Sequence, residues 1–97
     1  MIVSYHELAS DEIVHATAYY AGVRFDLGVA FLAELDVAIE QIAADSLLFE
    51  QVRPGVRRIL LERFPYGIYY RLPNAGTVRI IVVRHHRRRP GLGMRRR

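Results

Sequence analysis

The sequence predicts an α+β domain, in which a helical hairpin covers one face of a small, mainly antiparallel sheet, in the order β-α-α-β-β-β. Three observations support this fold class. Apolar residues recur at three- and four-residue steps over residues 27–44, as in an amphipathic helix. Apolar and polar residues alternate over residues 66–72, as in a strand with one buried face. A length of 97 residues allows one hydrophobic core, so we expect residues 1–97 to form a single domain.

The first half of the chain is predicted to hold one strand and two helices. Residues 2–6 alternate in the manner of a strand. Ser10 is a suitable N-cap for a helix over about residues 11–21, and Gly22 is placed to end that helix. A longer helix follows over about residues 27–44. Its acidic residues lie mostly opposite its apolar side, so we interpret them as solvated surface rather than as catalytic groups.

The second half is predicted to hold three strands. A connector over residues 45–55 comes first, and its apolar residues 47–49 are expected to tuck under the edge of the sheet. Strands are then predicted over about residues 56–64, 66–72 and 78–84, with a turn at residues 73–76. The last strand is apolar on both sides, which places it in the interior of the sheet.

The composition excludes several classes of protein. No apolar run approaches the roughly 20 residues that cross a bilayer, so no membrane partner is expected. The N-terminus lacks the basic-then-apolar order of a signal peptide. The absence of cysteine excludes disulfides and thiolate metal sites and fits a cytoplasmic location. His85 and His86 are adjacent on a strand and would point to opposite faces, so we predict no metal site and no other cofactor.

The charges are sorted by chain half. Residues 1–52 carry nine acids and one arginine, a formal charge of −8, whereas residues 53–97 carry thirteen arginines and one acid, a formal charge of +12. Every cation is an arginine, a side chain whose planar fork suits phosphate and carboxylate groups. A GC-rich genome would also favour arginine over lysine, but it would not sort charges along the chain. The sorting predicts an anionic partner, either a nucleic acid or an acidic protein segment.

Several of these arginines are candidates for binding an anion. Arg71 and Arg84 lie on neighbouring predicted strands and could converge on the open face of the sheet to hold a phosphate. His85 or His86 could then serve as an acid or base. The alternative is a solvated basic edge that deters edge-to-edge aggregation. The candidate partner-binding and anion-binding residues are Arg57, Arg58, Arg71, Arg79, Arg84, Arg87, Arg88 and Arg89.

Two tyrosine pairs and the C-terminal tail allow narrower predictions. Neighbouring side chains diverge, so one member each of Tyr19-Tyr20 and Tyr69-Tyr70 is expected in the core. The other member of each pair is expected at the rim, where it could stack on a base or on a partner's aromatic ring. The tail over about residues 92–97 ends in three arginines with no apolar anchor after Met94, and it is expected to be mobile.

Four segments, in this order, resemble the RelE/ParE superfamily of toxins from type II toxin–antitoxin systems. They are HELASDEIVHATAYY, LGVAFLAELDVAIEQI, VRRILLERFPYGIYYRL and VRIIVVRHHRRRPG, and the likeness runs from about Val3 to Gly91. The most specific part pairs RFPYGIYYR with the closing HHRRRP. The resemblance implies a toxin that a cognate antitoxin wraps, helix against helices and extended chain against the sheet. Whether that complex is a heterotetramer or larger stays open.

Two activities share this fold, so the fold alone does not choose between them. RelE-like members cut messenger RNA in the ribosome, whereas ParE-like members poison DNA gyrase. RelE-like ribonucleases resemble one another in basic sheet residues, often lysines, and in a tyrosine or histidine near the C-terminus. This chain has no lysine and no tyrosine in its tail, which favours the ParE-like branch. A ribonuclease would use Arg63, Arg71, Arg84, His85 and His86, and an inactive homologue that only binds the antitoxin is a third option.

Overall fold

A computed structural model describes all 97 residues of the chain. Two helices pack on one face of a five-stranded mixed sheet, which confirms the predicted fold class with one strand more than expected. No helix combines the length and the apolar character needed to cross a membrane. The elements in chain order are β1 (Ile2–Tyr5), α1 (Glu7–Val23), α2 (Phe25–Ala44), β2 (Glu50–Arg53), β3 (Val56–Leu60), β4 (Tyr66–Asn74) and β5 (Thr77–His85).

The strands follow the spatial order β1-β5-β4-β3-β2. β1 runs parallel to β5, and every other neighbouring pair is antiparallel. β5 therefore lies inside the sheet, as its apolar residues on both sides predicted. The additional strand, β2, forms a hairpin with β3 within what the sequence suggested was a connector. Gly55 turns this hairpin with a φ of 77°, a conformation that glycine adopts without a steric penalty. Leu47 and Leu48 are exposed rather than tucked under the sheet edge.

α1 begins earlier than the sequence predicted. His6 is its N-cap, and the Nδ1 atom of His6 accepts a hydrogen bond from the backbone N–H of Leu8 at 3.0 Å. Ser10, the expected cap, lies within the first turns of the helix. Histidine is not among the residues that usually cap helices. A prediction based on the usual capping residues therefore begins α1 about one turn too late.

The turn between the helices also differs from the prediction. Gly22 lies inside α1 with open space around it, and it does not end the helix. Arg24 alone separates α1 from α2. The glycine that shapes the hairpin is Gly28, since a Cβ added there would lie 2.8 Å from the Cβ of Ala21. The two helices pack closely at this point because residue 28 has no side chain.

The main hydrophobic core, called here the helix-side core, lies between the helices and the sheet. It contains fourteen buried residues. Phe31 is at its aromatic centre, with ring centroids 5.4 Å from Tyr20, 5.3 Å from Phe64 and 5.2 Å from Tyr66. Phe64 reaches this cluster because β3 ends at Leu60 and the chain then turns inward.

A second, smaller core lies on the open face, the face of the sheet that points away from the helices. Its five buried residues include Tyr69 and Met94. The C-terminal segment (residues 91–97), for which the sequence predicted mobility, folds back over this face, and Met94 is only 6% exposed. Gly93 permits the close approach, with a φ of 76° and with Val82 occupying the space a side chain would need. Tyr69, a candidate for the rim, is buried together with Tyr70.

Candidate functional site on the arginine-bearing face

The open face collects arginines from three strands. Arg58 on β3 lies opposite Tyr69 on β4, and Arg71 on β4 lies opposite Arg79 on β5. Arg84 on β5 reaches the hydroxyl of Tyr69 at 3.1 Å. The alternation of the strands therefore places Arg71 and Arg84 on one face, as the sequence predicted.

Arg71 and Arg84 nevertheless hold the protein's own main chain. Arg71 donates from Nε to the carbonyl of Arg96 at 2.9 Å and from Nη2 to the carbonyl of Met94 at 2.8 Å. Arg84 donates from Nη1 to the carbonyls of Arg89 at 3.1 Å and Leu92 at 2.9 Å. The two guanidinium groups thus clamp successive parts of the C-terminal region and do not meet over one shared phosphate position.

Arg79 ties the end of the chain to its beginning. Its Nη1 donates to the carbonyl of Tyr5 at 3.0 Å and to the hydroxyl of Ser4 at 3.4 Å, and its Nε donates to the carbonyl of Arg97 at 3.2 Å. β1 and the C-terminal segment therefore share one arginine. This use leaves Arg79 fewer donors for an external anion.

Glu12 and Arg96 form a link that the sequence did not reveal. Arg96 Nη1 lies 2.9 Å from Glu12 Oε1 and 3.0 Å from the carbonyl oxygen of Ile81. The same Glu12 oxygen accepts a hydrogen bond from the backbone N–H of Val83 at 3.0 Å. β1 ends at Tyr5, so this part of β5 has no strand on the side opposite β4, and the two side chains satisfy its backbone groups there. The prediction of solvated acids concerned the second helix, and it did not extend to this role of Glu12 on α1.

Glu34 is a second helix acid with a structural role. Its Oε2 accepts hydrogen bonds from the backbone N–H groups of Glu62, at 2.7 Å, and Arg63, at 3.1 Å. Its Oε1 lies 3.3 Å from Nε of Arg63. Arg63 thus lies beside α2 and not on the open face. Arg57 lies apart as well, because it pairs in register with Tyr70 of the helix-side core and donates to the carbonyl of Phe49 at 2.8 Å.

The two histidines lie in different cavities. His85 lines a cavity of about 260 Å³ between α1 and the end of β5, and its ring centroid is 5.3 Å from that of Tyr66. Burial raises the pKa of Tyr66, Tyr19 raises it further, and Arg88 opposes the shift. His86 lines a separate cavity on the open face. No group of three or more histidine, aspartate or glutamate side chains is placed to hold a metal ion.

The residues proposed for a ribonuclease are therefore dispersed. Arg63 pairs with α2, Arg71 holds the C-terminal segment, and the histidines face different cavities. Arg84 lines both cavities, but three of its five N–H donors are engaged by the main chain and by Tyr69. The structure does not assemble an acid, a base and a phosphate clamp at one point.

One cavity on the open face is strongly basic. It has a volume of about 210 Å³, lies between β3 and the turn that follows β5, and is named the basic pocket here. Arg87 and Arg89 are exposed on the same turn. The charged and aromatic residues that line the basic pocket are Arg58, Tyr69, Arg84, His86 and Arg88.

A family model described as the ParE toxin of type II toxin–antitoxin system, parDE, matches residues 3–90. The chain belongs to this family. The resemblance inferred from the sequence is confirmed, and the chain is a ParE-family toxin.

A solved structure agrees with this assignment at the level of the fold. It is the chromosomal ParDE TA system from P. aeruginosa, which aligns with a TM-score of 0.62 over 88% of this chain and 95% of that chain, at 18% sequence identity. No curated protein matches the chain significantly. Membership of a toxin–antitoxin family suggests an antitoxin as the partner of this ParE-family chain.

The helices of this ParE-family chain carry exposed apolar side chains. A groove of about 240 Å³ runs between the helices near β1 and is lined by Tyr5, Ile13 and Leu32 among others. Burial raises the pKa of Tyr5 at this groove, and the nearby carboxylate of Asp36 raises it further. The exposed large apolar residues of the two helices are Leu8, Val14, Tyr19, Val23, Phe25, Val29, Leu32 and Val37.

Proposed function

We propose that this chain is a toxin that inhibits DNA gyrase in the cytoplasm and that a cognate antitoxin neutralises by covering its surface. The observation that carries the proposal is the match of the ParE family model over residues 3–90. The geometry supports a protein target over RNA cleavage. The residues that a ribonuclease would need are divided between the helix side, the C-terminal clamp and two separate cavities.

The surface of the helices favours an amphipathic antitoxin helix. Val29 and Leu32 are exposed on α2, and Leu32 lines the groove between the helices. Exposed apolar side chains that are concentrated on one pair of helices are typical of a protein-binding surface. The arginine-rich turn after β5 favours an acidic antitoxin segment for the rest of the contact. An antitoxin with both parts would cover the two oppositely charged halves of the toxin.

The gyrase proposal is tested with the purified toxin and purified gyrase. We expect the toxin to inhibit supercoiling of relaxed plasmid and to accumulate cleaved DNA bound to gyrase. Addition of the antitoxin should restore supercoiling. Unchanged supercoiling together with no trapped cleavage complex would exclude gyrase as the target.

A translating extract provides the parallel test for the ribonuclease alternative. We expect messenger RNA to stay intact when the toxin is added. Cleavage that disappears in a variant with Arg84→Ala and His86→Ala would instead support a ribonuclease that uses the basic pocket. Normal cell growth after expression of the toxin without its antitoxin, with folded protein present, would indicate an inactive homologue.

A further inference from the structure

We propose that the basic pocket binds a phosphate group of the kind that a nucleic-acid backbone carries. The proposal goes beyond gyrase inhibition, and it is tested without gyrase. It rests on the donors of Arg58 and Arg84, on the charge of the pocket and on the arrangement of its walls.

Arg58 brings an unused donor to the pocket. Its Nη2 lies 2.7 Å from Glu50 Oε2, and this bond holds the guanidinium group against the sheet. The Nε atom of Arg58 is buried and has no hydrogen-bond partner. A buried N–H without an acceptor costs free energy, so a shift of the guanidinium group toward the pocket, where a ligand oxygen accepts from it, would remove that cost.

Arg84 is fixed in position without being neutralised. It makes three hydrogen bonds, to the carbonyls of Arg89 and Leu92 and to the hydroxyl of Tyr69, and its Cζ atom lies 4.4 Å from the centroid of the Tyr69 ring. All three acceptors are neutral groups, so the full positive charge remains. A guanidinium group has five N–H donors, and two therefore remain for a ligand. An arginine held in this way binds an anion with little loss of conformational entropy.

Gly67 makes room for this arrangement. It lies opposite Arg84 in the antiparallel pair of β4 and β5. A Cβ added to Gly67 would lie 3.0 Å from Cε1 of Tyr69 and 3.2 Å from Cδ2 of Leu60. A side chain at residue 67 would therefore displace the Tyr69 ring slightly and disturb its contact with the guanidinium group.

The charge and shape of the pocket favour phosphate over a carboxylate. Three arginines and one histidine line it, and Glu50, which pairs with Arg58, is the one carboxylate in contact with these cations. The basic groups come from β3, from β5 and from the turn after β5, so they approach from different directions. A tetrahedral phosphate accepts hydrogen bonds from several directions, whereas a planar carboxylate is satisfied by one arginine fork.

The surroundings favour a polymer as the source of the phosphate. Arg87 and Arg89 are exposed on the turn that forms one wall of the pocket. They add positive charge next to the pocket, which favours further phosphates of a strand. Each additional phosphate contact releases counterions and strengthens binding at low salt.

Inorganic phosphate is the first probe. The purified chain is titrated with phosphate, at an ionic strength kept constant with chloride, while histidine ring signals are followed by NMR. We expect saturable shifts at His86. Arg58→Gln should lower the affinity about tenfold or more, because a hydrogen bond to a charged group is lost. Arg24→Gln removes the same charge at the exposed Arg24–Asp26 pair and should leave the affinity unchanged.

Two results of this titration would overturn the proposal. One is a set of shifts that rises linearly with phosphate and never saturates. The other is an equal loss of affinity in Arg58→Gln and Arg24→Gln, which would indicate attraction to net charge alone. A thermal melt shows whether each variant is folded. Gly67→Ala provides an independent variant, which should weaken phosphate binding by moving Tyr69.

The source of the phosphate is tested with three competitors. A short DNA duplex should shift the same His86 signal at lower concentration than inorganic phosphate, with an affinity that falls steeply with salt. Binding of phosphate or a mononucleotide without any response to the duplex would overturn the nucleic-acid assignment. Saturation by a glutamate-rich peptide, in the absence of any effect of phosphate, would overturn the phosphate site and leave this surface to the proposed antitoxin contact alone. Gyrase is absent from these experiments, so their failure is distinct from failure of the proposed function.

Discussion

The two faces of the sheet are closed by different means. On the helix side, fourteen buried residues pack around an aromatic cluster centred on Phe31. On the open face only five apolar residues are buried, and one of them, Met94, belongs to the C-terminal segment that folds over this face. That cover is held by arginine donors bound to main-chain carbonyls, chiefly those of Arg71 and Arg84.

Because of this difference, we expect the helix-side core to determine global stability and the open face to determine the local order of the C-terminal segment. Burial of apolar area contributes about 25 cal/mol per Å², so the larger core supplies most of the free energy of folding. The open face has fewer apolar contacts and relies on directional hydrogen bonds. Segments of this kind open locally without global unfolding. We therefore expect the helix side to determine the denaturation midpoint and the C-terminal segment to be released first.

The largest expected effect comes from the centre of the helix-side core. Phe31→Ala should lower the free energy of unfolding by about 3–5 kcal/mol, because it removes a fully buried ring and leaves a cavity. Met94→Ala, the matched truncation on the open face, should lower the free energy of unfolding clearly less. Its main effect should be to make the C-terminal segment accessible to protease. Urea denaturation measures the first quantity and limited proteolysis the second. Equal losses in the two variants would contradict the proposed division of roles.

The next effect concerns how closely the two helices pack. Gly28→Ala should destabilise the protein by about 1–3 kcal/mol, because its Cβ would lie 2.8 Å from the Cβ of Ala21. Gly22→Ala is the control, since nothing lies within 4 Å of the added Cβ and alanine favours a helix. It should be neutral or stabilising by up to about 1 kcal/mol. Similar thermal stability in the two variants would show that the helices adjust freely.

Periodicity predicted the helix-side elements well because that side is built from apolar burial. The three- and four-residue steps of α2 and the alternation in β4 place their side chains against one core. β2 was missed because three of its four residues are exposed and no alternation marks them. His6 was missed as the cap of α1 because histidine is an uncommon cap.

The open face was less predictable because its contacts leave no local pattern. Alternation along the strands placed Arg71 and Arg84 correctly on one face. It did not show that carbonyl groups of the C-terminal segment take up their donors, since every residue type carries a carbonyl. The contact between Glu12 and Arg96 joins residues 84 positions apart, and no spacing rule connects them. Sequence reasoning therefore found the arginines but not the use the fold makes of them.

The contact between Glu12 and Arg96 tests how firmly the open face is closed. Glu12→Gln still accepts a hydrogen bond from the N–H of Val83 but loses its charge. We expect the free energy of unfolding to fall by about 1 kcal/mol, because both side chains are largely buried and the bond to Arg96 no longer joins two charges, whereas exposed pairs contribute less.

Hydrogen exchange should accelerate in the C-terminal segment of Glu12→Gln. Asp26→Asn is the control, because it breaks the exposed pair with Arg24 and should change neither stability nor exchange measurably. Unchanged protection of residues 91–97 in Glu12→Gln would mean that the arginine clamps hold the segment without this link.

The last prediction, with the smallest effect on stability at ordinary pH, concerns the ionisation of tyrosines on the helix side of the sheet. Burial raises the pKa of Tyr20, Tyr66 and Tyr70, which belong to the helix-side core or pack against it, above the ordinary value of 10.0. Their contribution to stability is complete below pH 10 and is lost as the pH rises through the folded-state pKa values. The arginine clamps keep their charge over this range.

Denaturation midpoints measured from pH 8 to pH 11 should therefore stay level and then fall above about pH 10. Tyr70→Phe should lower stability at pH 8, because Tyr70 donates to the carbonyl of Ser46 at 2.6 Å. It should also make the alkaline fall less steep, since one ionising group is removed from the core. If the denaturation midpoint of Tyr70→Phe falls as steeply with pH as that of the unchanged protein, the loss of stability arises outside the helix-side core. The two faces of the sheet would then not differ in their response to pH.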